Sequence, residues 1–240
     1  MPGEDMTITM QKDMFDSSID IDKVEETFGT REISKRCGSD IEHICRLKKI
    51  VKTKLEWEGN SIIDRKYDFI PYLDIIDQAR KNGDSLNCRY KSYIFSQLLM
   101  AYGYKARWVG CLPMDFRDSE CHCVTEVFLK SLNKWIVVDI AFDYLYFDNK
   151  GNLLNLIEMR RKIIAGEKIR FLSMDGKKAS DTKKYLEKNL FKFRFASLYR
   201  YNLPICSVKP VLLVPKHYIL ADAEKKMYAN ITNNVSMFWK

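Results

Sequence analysis

Apolar side chains recur at helical spacing in three stretches before residue 103. From Ser39, an N-cap candidate ahead of Asp40 and Glu42, the residues Ile41, Ile44, Cys45, Leu47, Ile50 and Val51 mark one face up to Trp57, and the pattern stops at Gly59. Pro71 to Lys81 repeats it with Tyr72, Leu73, Ile75, Ile76 and Ala79, and Gly83 sits where a helix C-terminus falls. Both read as amphipathic helices. Cys88 to Tyr102 differs, because Tyr93, Ile94, Phe95, Leu98, Leu99 and Met100 put apolar groups on nearly every side before Gly103 ends the run. A helix apolar all round is a buried one, the central element of a domain.

Beyond Gly103 the pattern changes to short runs rich in β-branched and aromatic residues: Ala106 to Leu112, Cys123 to Leu129 and Trp135 to Phe142. The last two are joined by Lys130 to Lys134, a polar connection of hairpin length, and Asp148 to Asn152 is a further turn. Leu156 to Ala165 and Asp181 to Phe193 read as helices, and Val208 to Val214, bounded by Pro210 and Pro215, as a strand. Residues 1 to 36 are polar and acidic, a loosely ordered lead-in with a short helix. The expectation is an α+β domain, a central buried helix packed on an antiparallel β-sheet. The chain divides into a lead-in (1–38) and one domain (39–240), with its core at about 40–165 and a basic extension at 166–240. No repeat, low-complexity tract or Pro/Gly linker argues for more.

With 240 residues, 46% of them hydrophobic, the chain can bury a substantial core. Its longest apolar runs fall well short of the roughly 20 residues that a membrane-spanning helix needs. The N-terminal MPGEDMTITMQKDMFDSS lacks the basic-then-apolar order of a secretory signal, so the chain as written reads as cytoplasmic, with a cell-envelope location open to a form whose leader has been removed. Seven cysteines without framework spacing read as mostly reduced thiols. The net charge of +8 is uneven: residues 160 to 216 hold fifteen Lys and Arg against four Asp and Glu. That region suits an acidic partner or is simply a solvated surface, and no nucleic-acid motif accompanies it.

The chemistry-bearing residues come in the order Cys88, His122, Asp139, at the start of the buried helix, the start of one strand and the end of the next. That order supplies a nucleophile, its base and the base's orienter. Asn87 as N-cap puts the thiol in the first helical turn, where the helix dipole and free backbone N–H groups favour a thiolate and the N–H of Cys88 can serve an oxyanion. His122 shares a strand face with Val124 and Glu126, whereas Cys121 and Cys123 point the other way, so Cys-His-Cys is a poor single metal site. No metal or cofactor is expected. A tight turn at residues 131 to 134 would set Asp139 opposite Glu126, and a bulge or splayed strand ends would then be needed to bring it to His122.

Asn87-Cys88-Arg89-Tyr90, the following LLMAYGYKARWVG, the Cys121-His122 strand and NKWIVVDIAF together resemble the transglutaminase-like superfamily, above all its bacterial domains, over about residues 40 to 165. The resemblance implies a papain-like fold with Cys88 as nucleophile, His122 as base and Asp139 as orienter. Ile140 stands where the family usually has proline. Trp57 is a positional candidate for an oxyanion residue. The implied activity is acyl transfer on peptide or amide substrates through a thioester, resolved by water in a cysteine peptidase or amidase, or by an amine in a transglutaminase. A binding module that keeps the fold without catalysis is the alternative. His43 and His217 read as ordinary packing or surface residues.

Overall fold

The computed structural model describes residues 19–32, 38–56, 60–61, 65–173, 182–207, 209–228 and 230–239. Its helices are α1 (Ile21–Phe28), α2 (Asp40–Leu55), α3 (Tyr72–Asn82), α4 (Cys88–Ala101), α5 (Leu156–Ile164), α6 (Thr182–Asn189) and the short α7 (Asp222–Lys225). Its strands are β1 (Asn60–Ser61), β2 (Asp84–Ser85), β3 (Ala106–Leu112), β4 (His122–Leu129), β5 (Lys134–Asp139), β6 (Tyr144–Phe147), β7 (Arg170–Ser173), β8 (Lys192–Ala196), β9 (Pro210–Leu213) and β10 (Asn230–Thr232). β1 and β2 form a small parallel pair, and the rest form one eight-stranded sheet in the order β10-β9-β8-β3-β4-β5-β6-β7. Only β10 and β9 run parallel in that sheet. The fold is α+β, a large antiparallel sheet with helices on both faces.

Local chemistry accounts for the helix ends. Ser39 Oγ accepts from Glu42 N while Glu42 Oε2 accepts from Ser39 N, a reciprocal capping box that starts α2. Gly83 closes α3 at φ 69°, a left-handed conformation that glycine adopts without a Cβ penalty. α4 is the buried helix its composition calls for: ten of its fourteen residues are buried. It packs on β3 and β4 together with α1, α2 and α3. The sheet face that packs against it carries Ala106, Trp108, Val127, Ile136 and Val138. The opposite face carries a second core built from Val109, Val124, Val137, Phe193 and Phe195, closed by α5, α6 and the C-terminal Phe238.

Three differences from the sequence reading have physical causes. The lead-in is more than a loose tail, because α1 buries Val24 and Phe28 in the core around α4. The helix expected over Asp181 to Phe193 ends at Asn189, and residues 192–196 form β8. There Phe193 and Phe195 alternate with Lys192 and Arg194 at the two-residue period of a strand. The β4–β5 connection is longer than a tight turn, a 3₁₀ turn over Lys130–Leu132 followed by Asn133 at φ 48°. The register is therefore Thr125↔Val138 and Glu126↔Val137, so that Asp139 is not opposite Glu126. The ladder stops at Thr125↔Val138, the first residues of β4 pair only with β3, and no bulge is required.

Among the described residues no helix is long and apolar enough to cross a membrane. The six described cysteines are free thiols. His43 is buried and shares a hydrogen bond with the Tyr104 hydroxyl at 2.8 Å.

Candidate active site

The start of β4 and the end of β5 bring His122 and Asp139 together. His122 Nε2 lies 2.7 Å from Asp139 Oδ2, and both side chains are buried. The carboxylate is fully engaged: Oδ2 also accepts from the Tyr146 hydroxyl at 2.8 Å, and Oδ1 accepts from the backbone N–H groups of Ala141 and Phe142 at 3.1 and 3.0 Å. Burial by itself would neutralise Asp139. The charge and hydrogen bond of His122, with the Phe142 N–H and Tyr146 donors, outweigh it and hold the carboxyl below its ordinary range. Burial likewise opposes charging of His122, and the charge and hydrogen bond of Asp139 prevail, so the imidazole titrates above its ordinary range. The Nε2–Asp139 bond leaves Nδ1 as the ring nitrogen for proton exchange.

Aromatic rings fix the imidazole plane. Phe142 stacks on it with centroids 4.5 Å apart and planes at 17°, and Tyr185 of α6 meets it edge-on at 5.6 Å. Tyr185 is itself tied to β4, its hydroxyl donating to the Cys121 carbonyl at 2.7 Å. The Phe142 turn is anchored from the other side of the molecule. Asp143, at φ 65°, takes Lys48 Nζ of α2 at 2.7 Å and Lys52 Nζ at 3.4 Å. A left-handed aspartate is tolerated when local bonding holds it there.

Cys88 is the first residue of α4. Asn87 Oδ1 caps the helix by accepting from Arg89 N at 3.0 Å and Tyr90 N at 3.2 Å. The thiol is half-buried, and its hydrogen-bond partner is Cys123 rather than His122. A thiol donor and a backbone N–H from Cys123 favour the Cys88 thiolate, and they outweigh the burial that opposes it, so Cys88 titrates below an ordinary cysteine. The donor pays the corresponding penalty: the Cys88 hydrogen bond and burial push Cys123 well above its ordinary range. Burial also raises Cys111 and Cys121, which leaves Cys88 as the described cysteine with a depressed pKa.

The geometry explains why the thiol finds Cys123 first. Thr125 and Val127 face α4, and Thr125 Oγ1 donates to Ser92 O there, while His122 and Val124 lie on the α6 face. The first turn of α4 brings Cys88 to Cys123, next to His122 at the start of the strand. The structure joins His122 to Asp139, joins Cys88 to Cys123, and sets both pairs at one end of β4. Trp57 lies outside the described residues.

Tyr146, Phe142, Tyr185 and Cys123 escaped the sequence reading. Tyr144 and Tyr146 do alternate on β6, and Cys123 adjoins His122, yet neither feature says which side chain meets the carboxylate or the thiol.

The model of the transglutaminase-like superfamily matches residues 29–140, a stretch that contains Cys88, His122 and Asp139. The matched stretch, from α2 through β5, is similar to the core of that superfamily and amounts to just under half of the chain. Among solved structures, a candidate cysteine protease from Cytophaga hutchinsonii matches with a TM-score of 0.37 and 14% identity, over 58% of this chain and 43% of that one. The present chain therefore spans less than half the length of that protein. No curated protein matches.

Proposed function

We propose that the protein catalyses thiol-dependent acyl transfer on peptide or amide substrates, with hydrolysis as the main outcome. The observation that carries this reading is the His122–Asp139 pair, a buried imidazole held at 2.7 Å by a carboxylate that is itself saturated with donors, beside the one described cysteine whose thiolate is favoured. The match of residues 29–140 to the transglutaminase-like superfamily supports the same class of chemistry.

In the proposed cycle Cys88 passes its thiol proton to His122 Nδ1, its Sγ attacks the substrate carbonyl, and the backbone N–H of Cys88 steadies the oxyanion. The leaving amine takes a proton from His122 Nδ1, whose far side is fixed by Asp139. Water, activated by the same nitrogen, then releases the acyl group and restores the thiol. An amine in place of water would make the product a new amide, and nothing among the described residues forms a dedicated amine site. As a nucleophile Cys88 must leave Cys123 and turn to the imidazole, a short motion at the end of β4.

The test is a proteomic peptide library incubated with the wild type and with Cys88→Ala, read by mass spectrometry for new termini and, with a labelled primary amine present, for new amides. Cleavage confined to the wild type is expected. Cleavage that persists in Cys88→Ala, or no turnover in either, would contradict the proposal.

A further inference from the structure

A cleft that Arg89 of α4 helps to line holds a guanidinium, that of Arg194, whose Nε has no hydrogen-bond partner among the described residues. Its first lobe is lined by Arg65, Arg89, Arg194, Trp108, Cys206 and Tyr228, among others. Its second lobe shares Arg194 and Tyr228 with the first and reaches Cys121, the residue before His122. Arg89 follows Cys88 directly in the chain, so the cleft is flanked by the neighbours of both the thiol and the imidazole.

The charges around Arg194 leave it uncompensated. Arg89 is answered by the buried Asp68, to which its Nη1 donates, while its Nη2 donates to Cys206 Sγ at 3.1 Å. Arg65 lies 3.9 Å from the same carboxylate. The three acids of the second lobe each have a cation: Asp115 has Arg117 at 2.9 Å, Asp118 has Lys188 at 2.8 Å and Glu224 has Lys192 at 2.6 Å. Among the described residues Arg194 has no carboxylate, and its Nε is buried without a hydrogen-bond partner. A buried donor left unmade is costly, which marks the place where a ligand would recover the loss.

The backbone is shaped to admit this side chain. Gly110 of β3 pairs with Arg194 of β8, and a Cβ there would come within 3.1 Å of Arg194 Nε and 3.3 Å of its Cβ. The guanidinium extends past it to lie 5.9 Å from the Trp108 ring.

Resting on the proposed acyl-transfer reading, we infer that Arg194, with Arg89 and Arg65 beside it, is a specificity site for a carboxylate of the substrate. An arginine fork with free donors takes a carboxylate in two parallel hydrogen bonds, and the flanking Trp108 and Tyr228 accept an apolar side chain next to it. The substrate class is thus a peptide with a carboxylate close to the scissile amide, supplied either by its C-terminus or by an acidic side chain.

Calorimetric titration with three probes decides this without any turnover. N-acetylphenylalanine carries an α-carboxylate, its amide carries none, and N-acetylglutamic acid α-amide carries only the side-chain group. The wild type and Cys88→Ala are expected to bind one of the acids at least about tenfold more tightly than the neutral amide, and Arg194→Gln to lose that preference while Arg194→Lys keeps part of it. Preference for the first acid names the C-terminus as the source, and preference for the second the acidic side chain. Equal binding of acid and amide, a preference unchanged in Arg194→Gln, or equal competition by inorganic phosphate overturns the inference. If acid binding holds while Cys88 proves inert, the acyl-transfer reading fails and the carboxylate site stands.

Discussion

His122 and Asp139 define the site at the scale of single residues, and their coupling sets two measurable behaviours. Asp139→Asn keeps the side-chain shape but removes the charge that fixes the imidazole tautomer, so kcat should fall by about 10³–10⁴-fold with the fold retained. Unchanged turnover would remove the orienter role. The raised pKa of His122 also makes a statement about stability. A base whose native pKa exceeds its unfolded value contributes stability that is fully present below the unfolded pKa, near 6.5, and is lost as pH rises through the native pKa. The stability advantage of the wild type over His122→Gln should therefore be largest below about pH 6.5 and shrink above it, as read by denaturant unfolding across pH. At this scale the nucleophile, base and orienter were suggested by residue type and order. Tyr146 and Cys123 were not, because their roles depend on which strands pair and on where α4 ends, and no local spacing records that.

Elements place those residues, and one ion pair between elements holds the site's turn. Lys48 of α2 is fully buried and bonds Asp143, whose neighbour Phe142 stacks on His122. Removing Lys48 leaves the buried Asp143 carboxylate with only the longer contact to Lys52 Nζ at 3.4 Å. Lys48→Met should thus cost about 3–5 kcal/mol and lower Tm by on the order of 10 °C, with part of the loss recovered when Asp143→Asn is added. A loss under about 1 kcal/mol, measured by chemical denaturation, would mean the pair is not what holds the turn. The helices α2, α3 and α4 were legible because their apolar periodicity and their caps agree. β8 was not, because Lys183, Lys184, Leu186, Glu187 and Leu190 carry a helical pattern up to the point where Phe191 begins, and the change of period falls inside one polar-apolar run. The β4–β5 register differed for a similar reason: a count of intervening residues does not reveal a 3₁₀ turn with a left-handed Asn133.

On the scale of the whole molecule, one sheet joins the stretch matched by the transglutaminase-like model to the basic C-terminal region, since β8 pairs directly with β3. Several bases of that region are already paired within the chain, Lys192 with Glu224 in the interior and Lys188 with Asp118 at the surface. The chain end is pinned as well. Buried Glu126 takes Arg107 through Nε and Nη2 at 3.0 and 2.7 Å, and its other oxygen accepts from Leu156 N and from Trp239 Nε1 at 3.0 and 2.9 Å. Arg107 lies 4.1 Å above the Trp135 ring. Glu126→Ala should therefore cost about 3–5 kcal/mol and free the C-terminal segment together with the start of α5. Hydrogen exchange is the readout, and protection left intact at Leu156 N would contradict this linkage. The single sheet could not be foreseen from the sequence, because β6, β7, β8 and β10 are three to five residues long and find partners only through distant contacts.

The most direct measurement is the pH dependence of iodoacetamide labelling, with each modified cysteine located by mass spectrometry in the wild type and in Cys123→Ala. Cys88 should react first, with an apparent pKa below the roughly 8.5 of a free thiol, and should lose much of that advantage without the Cys123 thiol. If Cys88 reacts no faster than the other cysteines, its thiolate is not favoured and the acyl-transfer account is wrong.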